Sequence, residues 1–156
     1  MDSNSNGGLQ QQVLYVEDHP VNVILMEALF MHRPHLQLHV ATSGEQAVRV
    51  AAALQPALVL LDLRLPDCHG EQLLPVLRRL RGWEDVPAVA VTAEDDFEIT
   101  GTGFCELWPK PLDMLWVLQR LDELTHPTAR PGPAGSPWPT LARGGLRAPL
   151  QRQPLA

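Results

Sequence analysis

Ala57-Leu58-Val59-Leu60-Leu61-Asp62, the run ALVLLD, is apolar without interruption until it ends on a carboxylate. A strand covered on one face alternates apolar and polar residues, whereas one covered on both faces does not. This run therefore predicts a central strand of a parallel sheet. Two other stretches repeat the pattern: Val13–Val16 (VLYV), which runs into Glu17-Asp18, and Ala88–Thr92 (AVAVT), which ends on a hydroxyl. Leu36–Ala41 (LQLHVA) alternates, as suits an edge strand, and a further strand is expected just before Lys110. Helical patterns lie between them at Val23–Met31, Glu45–Leu54, Glu71–Leu80 and Met114–Leu124. Strands alternating with helices at this spacing predict βα repeats, and so an α/β sandwich with a sheet of about five parallel strands.

Local signals refine the helices. Thr42-Ser43-Gly44-Glu45 reads as a capping box, with the Thr42 hydroxyl and the Glu45 carboxylate satisfying free amides of the first turn. Pro75 is expected near the start of its helix, where a missing donor does least harm. Asp113 reads as the N-cap of the last helix, which is expected to bury Met114, Leu115, Val117, Leu118 and Leu121.

All eighteen acidic residues fall within residues 1–125, against eight basic ones. An acidic body argues against nucleic acid, which needs clustered Lys and Arg, and favours a cation. Residues 1–11 read as a flexible N-terminus and 12–125 as one domain. Residues 126–156 hold seven of the fifteen prolines, with Gly and Arg, no acid and no P-x-x-P spacing, and read as a disordered tail. Cys68 and Cys105 lack metal-ligand spacing and read as reduced thiols. With neither a signal-peptide pattern nor a membrane-spanning apolar run, the expected location is cytoplasmic, away from the membrane.

In open parallel sheets, ligands bind beyond the carboxyl ends of the strands. There the sequence places Glu17 and Asp18 after the first strand, Asp62 at the end of the third, Thr92 at the end of the fourth and Lys110 after the fifth. Three carboxylates sharing one crevice raise each other's pKa unless a cation compensates them, and oxygen ligands of this kind suit Mg²⁺. Each residue alone has a plain reading, since threonine is common in strands and a carboxylate at a strand end is usually just solvated. Their order along the chain is what carries the signal. His19, Cys68 and His69 are expected around the same crevice, without the ligand number that a soft metal needs.

The acidic pair in VED, the aspartate in LLDLRLPDCHG, the VTA strand end and the KP dipeptide together resemble the receiver domain of two-component response regulators. The resemblance covers about residues 12–125. It implies a flavodoxin-like (βα)5 sandwich in which Asp62 accepts a phosphoryl group from a histidine kinase or a histidine phosphotransfer protein. Mg²⁺ would be held by Asp18, Asp62 and the Arg64 backbone carbonyl, with Glu17 acting through a water. Thr92 would donate to the phosphoryl oxygen, Ala93 would leave room for it, and Lys110, the only lysine, would follow it. A cis bond to Pro111 is implied as well. The chain would be a signalling module rather than an enzyme on an outside substrate, reading out through protein contact with a downstream partner that the sequence does not identify. A haloacid-dehalogenase-type phosphatase would want a second aspartate where Arg64 stands.

Two departures stand out. Thr92 and Lys110 are 18 residues apart, about one helical turn less than usual in the family, and EDDFEITGTG (Glu94–Gly103) is a poor helix former. The fourth helix is therefore expected to be short, irregular or absent. Leu107 stands where the family usually has Tyr or Phe, which removes an aromatic switch. These changes motivate a second reading, a pseudo-receiver that serves only as a docking module. Arg64 and Glu94 flank the entrance and are expected to form an ion pair across it.

Overall fold

The computed structural model describes residues 10–126. Five strands, β1 (Gln11–Val16), β2 (Leu36–Ala41), β3 (Leu58–Asp62), β4 (Ala88–Thr92) and β5 (Glu106–Pro109), form one parallel sheet in the order β2-β1-β3-β4-β5. Four helices complete the described region: α1 (Pro20–Phe30), α2 (Gly44–Ala51), α3 (Gly70–Arg78) and α4 (Met114–Thr125). The expectations of a flexible start and a disordered tail fall on the first nine residues and on those after 126, outside the described residues. Gln11, assigned by its sequence to the N-terminus, already pairs with Leu36 in the sheet.

Every residue of β3 and β4 is buried, as continuous apolar runs require. Strand alternation divides the core into two layers. Leu14, Val16, Val59, Leu61 and Ala90 pack on one side with Ala47 and Ala51 of α2 and Leu73, Leu74 and Leu77 of α3. Val13, Tyr15, Leu58, Leu60 and Val91 pack on the other with Met26 and Leu29 of α1 and Val117 and Leu121 of α4. On that second side Glu106 of β5 is buried and accepts from Trp108 Nε1 at 2.9 Å and from the Arg120 guanidinium of α4, tying helix to strand.

Three local expectations are corrected. The α2 cap lies one residue further on: Ser43 Oγ accepts from Gln46 N at 3.0 Å, and the Gln46 side chain, not Glu45, reaches back to Thr42 N. Serine in extended backbone can aim its hydroxyl at the first turn, and Gln46 sits at the third helical position where such a side chain returns. Pro75 lies inside α3 rather than near its start: the helix begins at Gly70, one residue before the expected Glu71, and ends at Arg78, two before the expected Leu80. In α4, Asp113 is the cap and Val117 and Leu121 are buried, but Met114 and Leu115 in the first turn are 42% and 79% exposed.

The segment between β4 and β5 contains no helix. It is fixed instead by Phe97, Ile99 and Phe104 packing onto the α2/α3 side of the core, and by Arg78, whose guanidinium donates to the carbonyls of Trp83, Val86 and Gly103. Gly101 and Gly103 take positive φ, +76° and +97°, a conformation that a helix does not contain.

Candidate functional site

The chain leaves β1 toward one edge of the sheet through β2 and returns to β3 on the other side of β1. This reversal opens the crevice at the carboxyl ends of β1 and β3. It is lined by Asp18, His19, Asp62, Arg64, Thr92, Ala93, Glu94 and Lys110. Carboxylate oxygens of Glu17, Asp18 and Asp62 all lie within 4.8 Å of one another, with Asp18 exposed and the other two buried. Among the described residues this is the only group of three or more such side chains close enough to hold a metal ion.

The Lys110 ammonium joins two of them. Nζ donates to Glu17 Oε1 at 3.0 Å and to Asp62 Oδ2 at 3.0 Å. The Lys110–Pro111 peptide that follows is cis. Asp62 Oδ1 accepts from the Arg64 amide at 3.1 Å, so both of its oxygens are engaged. Glu17 is more heavily held: Oε1 also accepts from the Tyr15 hydroxyl at 3.0 Å, and Oε2 from the His19 amide at 3.1 Å.

These contacts set the protonation equilibria. Burial pushes the Asp62 carboxyl up and the Glu17 charge adds to it, outweighing the Arg64 amide and Lys110, so Asp62 stands above its ordinary value. Burial also works against ionised Glu17, but Lys110 and the His19 amide outweigh it, and Glu17 stands below its ordinary value. For Lys110 burial disfavours the charge, the bonds to Glu17 and Asp62 prevail, and the ammonium is held above its usual range. The arrangement is thus two carboxylates around one ammonium, with a third carboxylate at the rim.

Across the mouth, Arg64 Nε donates to Glu94 Oε2 at 3.0 Å. His69 Nδ1 accepts from the Glu71 amide to cap α3, which leaves the ring proton on Nε2, 3.3 Å from the same Glu94 oxygen. Thr92 is buried at the end of β4 and its hydroxyl oxygen accepts from the Glu94 amide at 2.9 Å, so the hydroxyl proton remains available. Ala93 is exposed at the rim, and Leu107 is half-buried on β5. Cys68 lies against Gly44 and Asp67 and does not line the crevice.

Two partners were not foreseen from sequence. Tyr15 touches Glu17 because residues two apart on a strand share a face, a signal that was present in VLYVED. Asp67 accepts from the Gly44 and Glu45 amides at the start of α2, at 2.8 and 3.0 Å, and no sequence pattern links residues so far apart.

The response regulator receiver domain profile matches residues 13–113. The signal transduction histidine-protein kinase BarA of Escherichia coli strain K12 is 30% identical over 110 residues, covering 67% of this chain and 12% of that protein. The transcriptional regulatory protein KdpE of Mycobacterium tuberculosis strain H37Rv is 33% identical over 113 residues, 70% of this chain and 48% of that one. The chain thus spans a small part of the first relative and about half of the second. Among solved structures, the receiver domain of the sensor histidine kinase PA1611 from Pseudomonas aeruginosa PAO1 superposes with a TM-score of 0.68 at 26% identity, covering 75% of this chain and 98% of that one. That crystal structure has a magnesium ion coordinated in its active site cleft. Sheet order, acidic crevice and these likenesses converge: the chain belongs to the response regulator receiver domain family, a signalling module of two-component systems.

Proposed function

We propose that the chain accepts a phosphoryl group on Asp62 from a phosphohistidine of a histidine kinase or histidine phosphotransfer protein. The observation that carries this reading is the Lys110 ammonium, 3.0 Å from both Glu17 and Asp62 at the floor of an acidic crevice. An Asp62 oxygen forms the new bond to phosphorus as the phosphorus–nitrogen bond of the donor breaks, and the imidazole leaves. Lys110 moves from Asp62 toward the incoming oxygens, for which a compact charge on a flexible stem is suited. The Thr92 hydroxyl proton, not used by the Glu94 amide, is free to donate to the same group, and Ala93 leaves its path open.

The donor set fits a hard divalent cation, since it is all carboxylate oxygen and carries more negative charge than one ammonium offsets. Asp18, Asp62 and the Arg64 carbonyl would hold Mg²⁺, with Glu17 reaching it through a water. Bound there, it would neutralise charge on the transferring group, which is most of what phosphoryl transfer asks of a protein.

The donor's approach is supported by exposed apolar side chains on the two helices that share one side of the sheet. Val21, Ile24 and Leu25 of α1 are 62%, 60% and 49% exposed, and Met114 and Leu115 open α4, which packs on the same side of the sheet. Output is by protein contact, at a surface altered by the helix-free β4–β5 segment.

Intact-mass analysis after incubation with Mg²⁺ and acetyl phosphate tests the reading. One phosphoryl group on the wild type, absent from Asp62→Asn, supports it. An inert wild type supports the pseudo-receiver, which the lost helix and Leu107 favour.

A further inference from the structure

We propose that Tyr15 is a positioning residue for the acceptor site: its hydroxyl holds Glu17 so that Lys110 stays shared between Glu17 and Asp62. The consequence for phosphorylation rests on Asp62 being the acceptor.

Tyr15 is fully buried on the α1/α4 side of the sheet, among Met26, Leu60 and Trp108. Phenylalanine would fill this apolar space equally well. A buried hydroxyl costs free energy unless it finds a partner, and here that partner is Glu17 Oε1 at 3.0 Å. The carboxylate can only accept, so Tyr15 is the donor. Glu17 Oε1 therefore serves two donors at once, the Tyr15 hydroxyl and the Lys110 ammonium. Glutamate, rather than the shorter aspartate, has the reach to meet both.

The sharing matters because Glu17 is completely buried, with the His19 amide as the donor to its other oxygen. Without Mg²⁺ and its water, the fully buried carboxylate exposes no surface to solvent that could replace a lost donor. Without the Tyr15 hydroxyl, Glu17 leans harder on Lys110, and the ammonium is drawn from Asp62 Oδ2. The acceptor then loses the charge that compensates it, and the incoming phosphoryl group meets a displaced ammonium.

The sequence supplies its own probe: Lys110 is the only lysine, so a sample with nitrogen-labelled lysine ζ positions gives a single ammonium NMR signal. It is recorded without Mg²⁺ or phosphodonor in the wild type, Tyr15→Phe, Asp62→Asn, Glu17→Gln and the Tyr15→Phe/Glu17→Gln pair. The expected result is a Tyr15→Phe signal displaced in the same direction as that of Asp62→Asn, with Tyr15→Phe adding no displacement to that of Glu17→Gln. A Tyr15→Phe signal that coincides with the wild type, or a displacement by Tyr15→Phe that persists on top of Glu17→Gln, overturns the proposal. With Mg²⁺ and acetyl phosphate, Tyr15→Phe should be phosphorylated about tenfold more slowly at saturating donor, with the half-saturating concentration unchanged, near the low end of what one bond to a charged group contributes. An unchanged rate beside a phosphorylated wild type also overturns it. A wild type that takes no phosphoryl group sinks the acceptor reading instead, and the lysine signal still decides the role of Tyr15.

Discussion

Replacing Arg64 with Ala should shorten the life of the phosphoryl group on Asp62. Arg64 and Glu94 join the loops after β3 and β4 across the mouth of the crevice, and on the proposed reading the pair shields an acyl phosphate at Asp62 from water. The size of the effect follows from their exposure. Glu94 is 16% exposed but the Arg64 side chain is 78% exposed, so solvent screens the pair, and such pairs contribute about 0.2–1 kcal/mol. Converted to rate, that is a factor of about 1.4 to 5. His69 Nε2 also holds Glu94, so Arg64→Ala alone should fall near the low end, about twofold. Adding His69→Asn, which keeps an N-cap side chain on α3 but lacks the reach to Glu94, should bring the change to about fivefold. The assay is decay of the phosphorylated mass after removal of acetyl phosphate, repeated at high salt, where the difference should shrink. Equal half-lives for the wild type and the double variant would refute the reasoning.

Gly70→Ala should disturb the acceptor from behind, because a Cβ there would stand 2.7 Å from the Asp62 carbonyl oxygen and 3.0 Å from a Leu63 methyl. A loss of about 1–3 kcal/mol in urea unfolding and slower phosphorylation are expected, and an unchanged midpoint would show that the loop yields freely. Lys110 is held above its ordinary pKa of 10.5, so its contribution to stability is complete below that pH and is lost as pH rises through the raised value. The difference in urea midpoint between wild type and Lys110→Met should therefore be flat from about pH 7 to 9 and shrink only in stronger alkali. Ile24→Glu on the exposed side of α1 should change stability by no more than about 0.5 kcal/mol and slow transfer from a phosphohistidine protein while leaving acetyl phosphate labelling intact. Equal slowing with both donors would place the effect in the crevice rather than at the docking surface.

What was legible in the sequence was whatever depends on burial and order. β3 and β4 announce themselves because a strand covered on both faces has no polar residue to interrupt it. The acids at the strand ends follow once a parallel sheet is granted, and the shortened β4–β5 segment follows from its spacing and its glycines. What was not legible depends on side chains meeting across the fold or on small shifts at helix ends. Ser43 and Thr42 are equally good caps on paper, and backbone direction selects Ser43. Met114 and Leu115 fit an apolar stripe, but in the fold both are left exposed at the first turn of α4. The resemblance implies for Glu17 only a contact to a cation through a water, and only the fold shows it buried between Tyr15 and Lys110.

Borohydride reduces an acyl phosphate to an alcohol, so treating the Mg²⁺- and acetyl-phosphate-incubated protein with it and mapping the peptides locates the phosphorylated side chain directly. Conversion at position 62 alone, abolished in Asp62→Asn, is the result predicted. Conversion at other carboxylates, or none in a correctly folded wild type, would contradict the assignment of Asp62 as the acceptor.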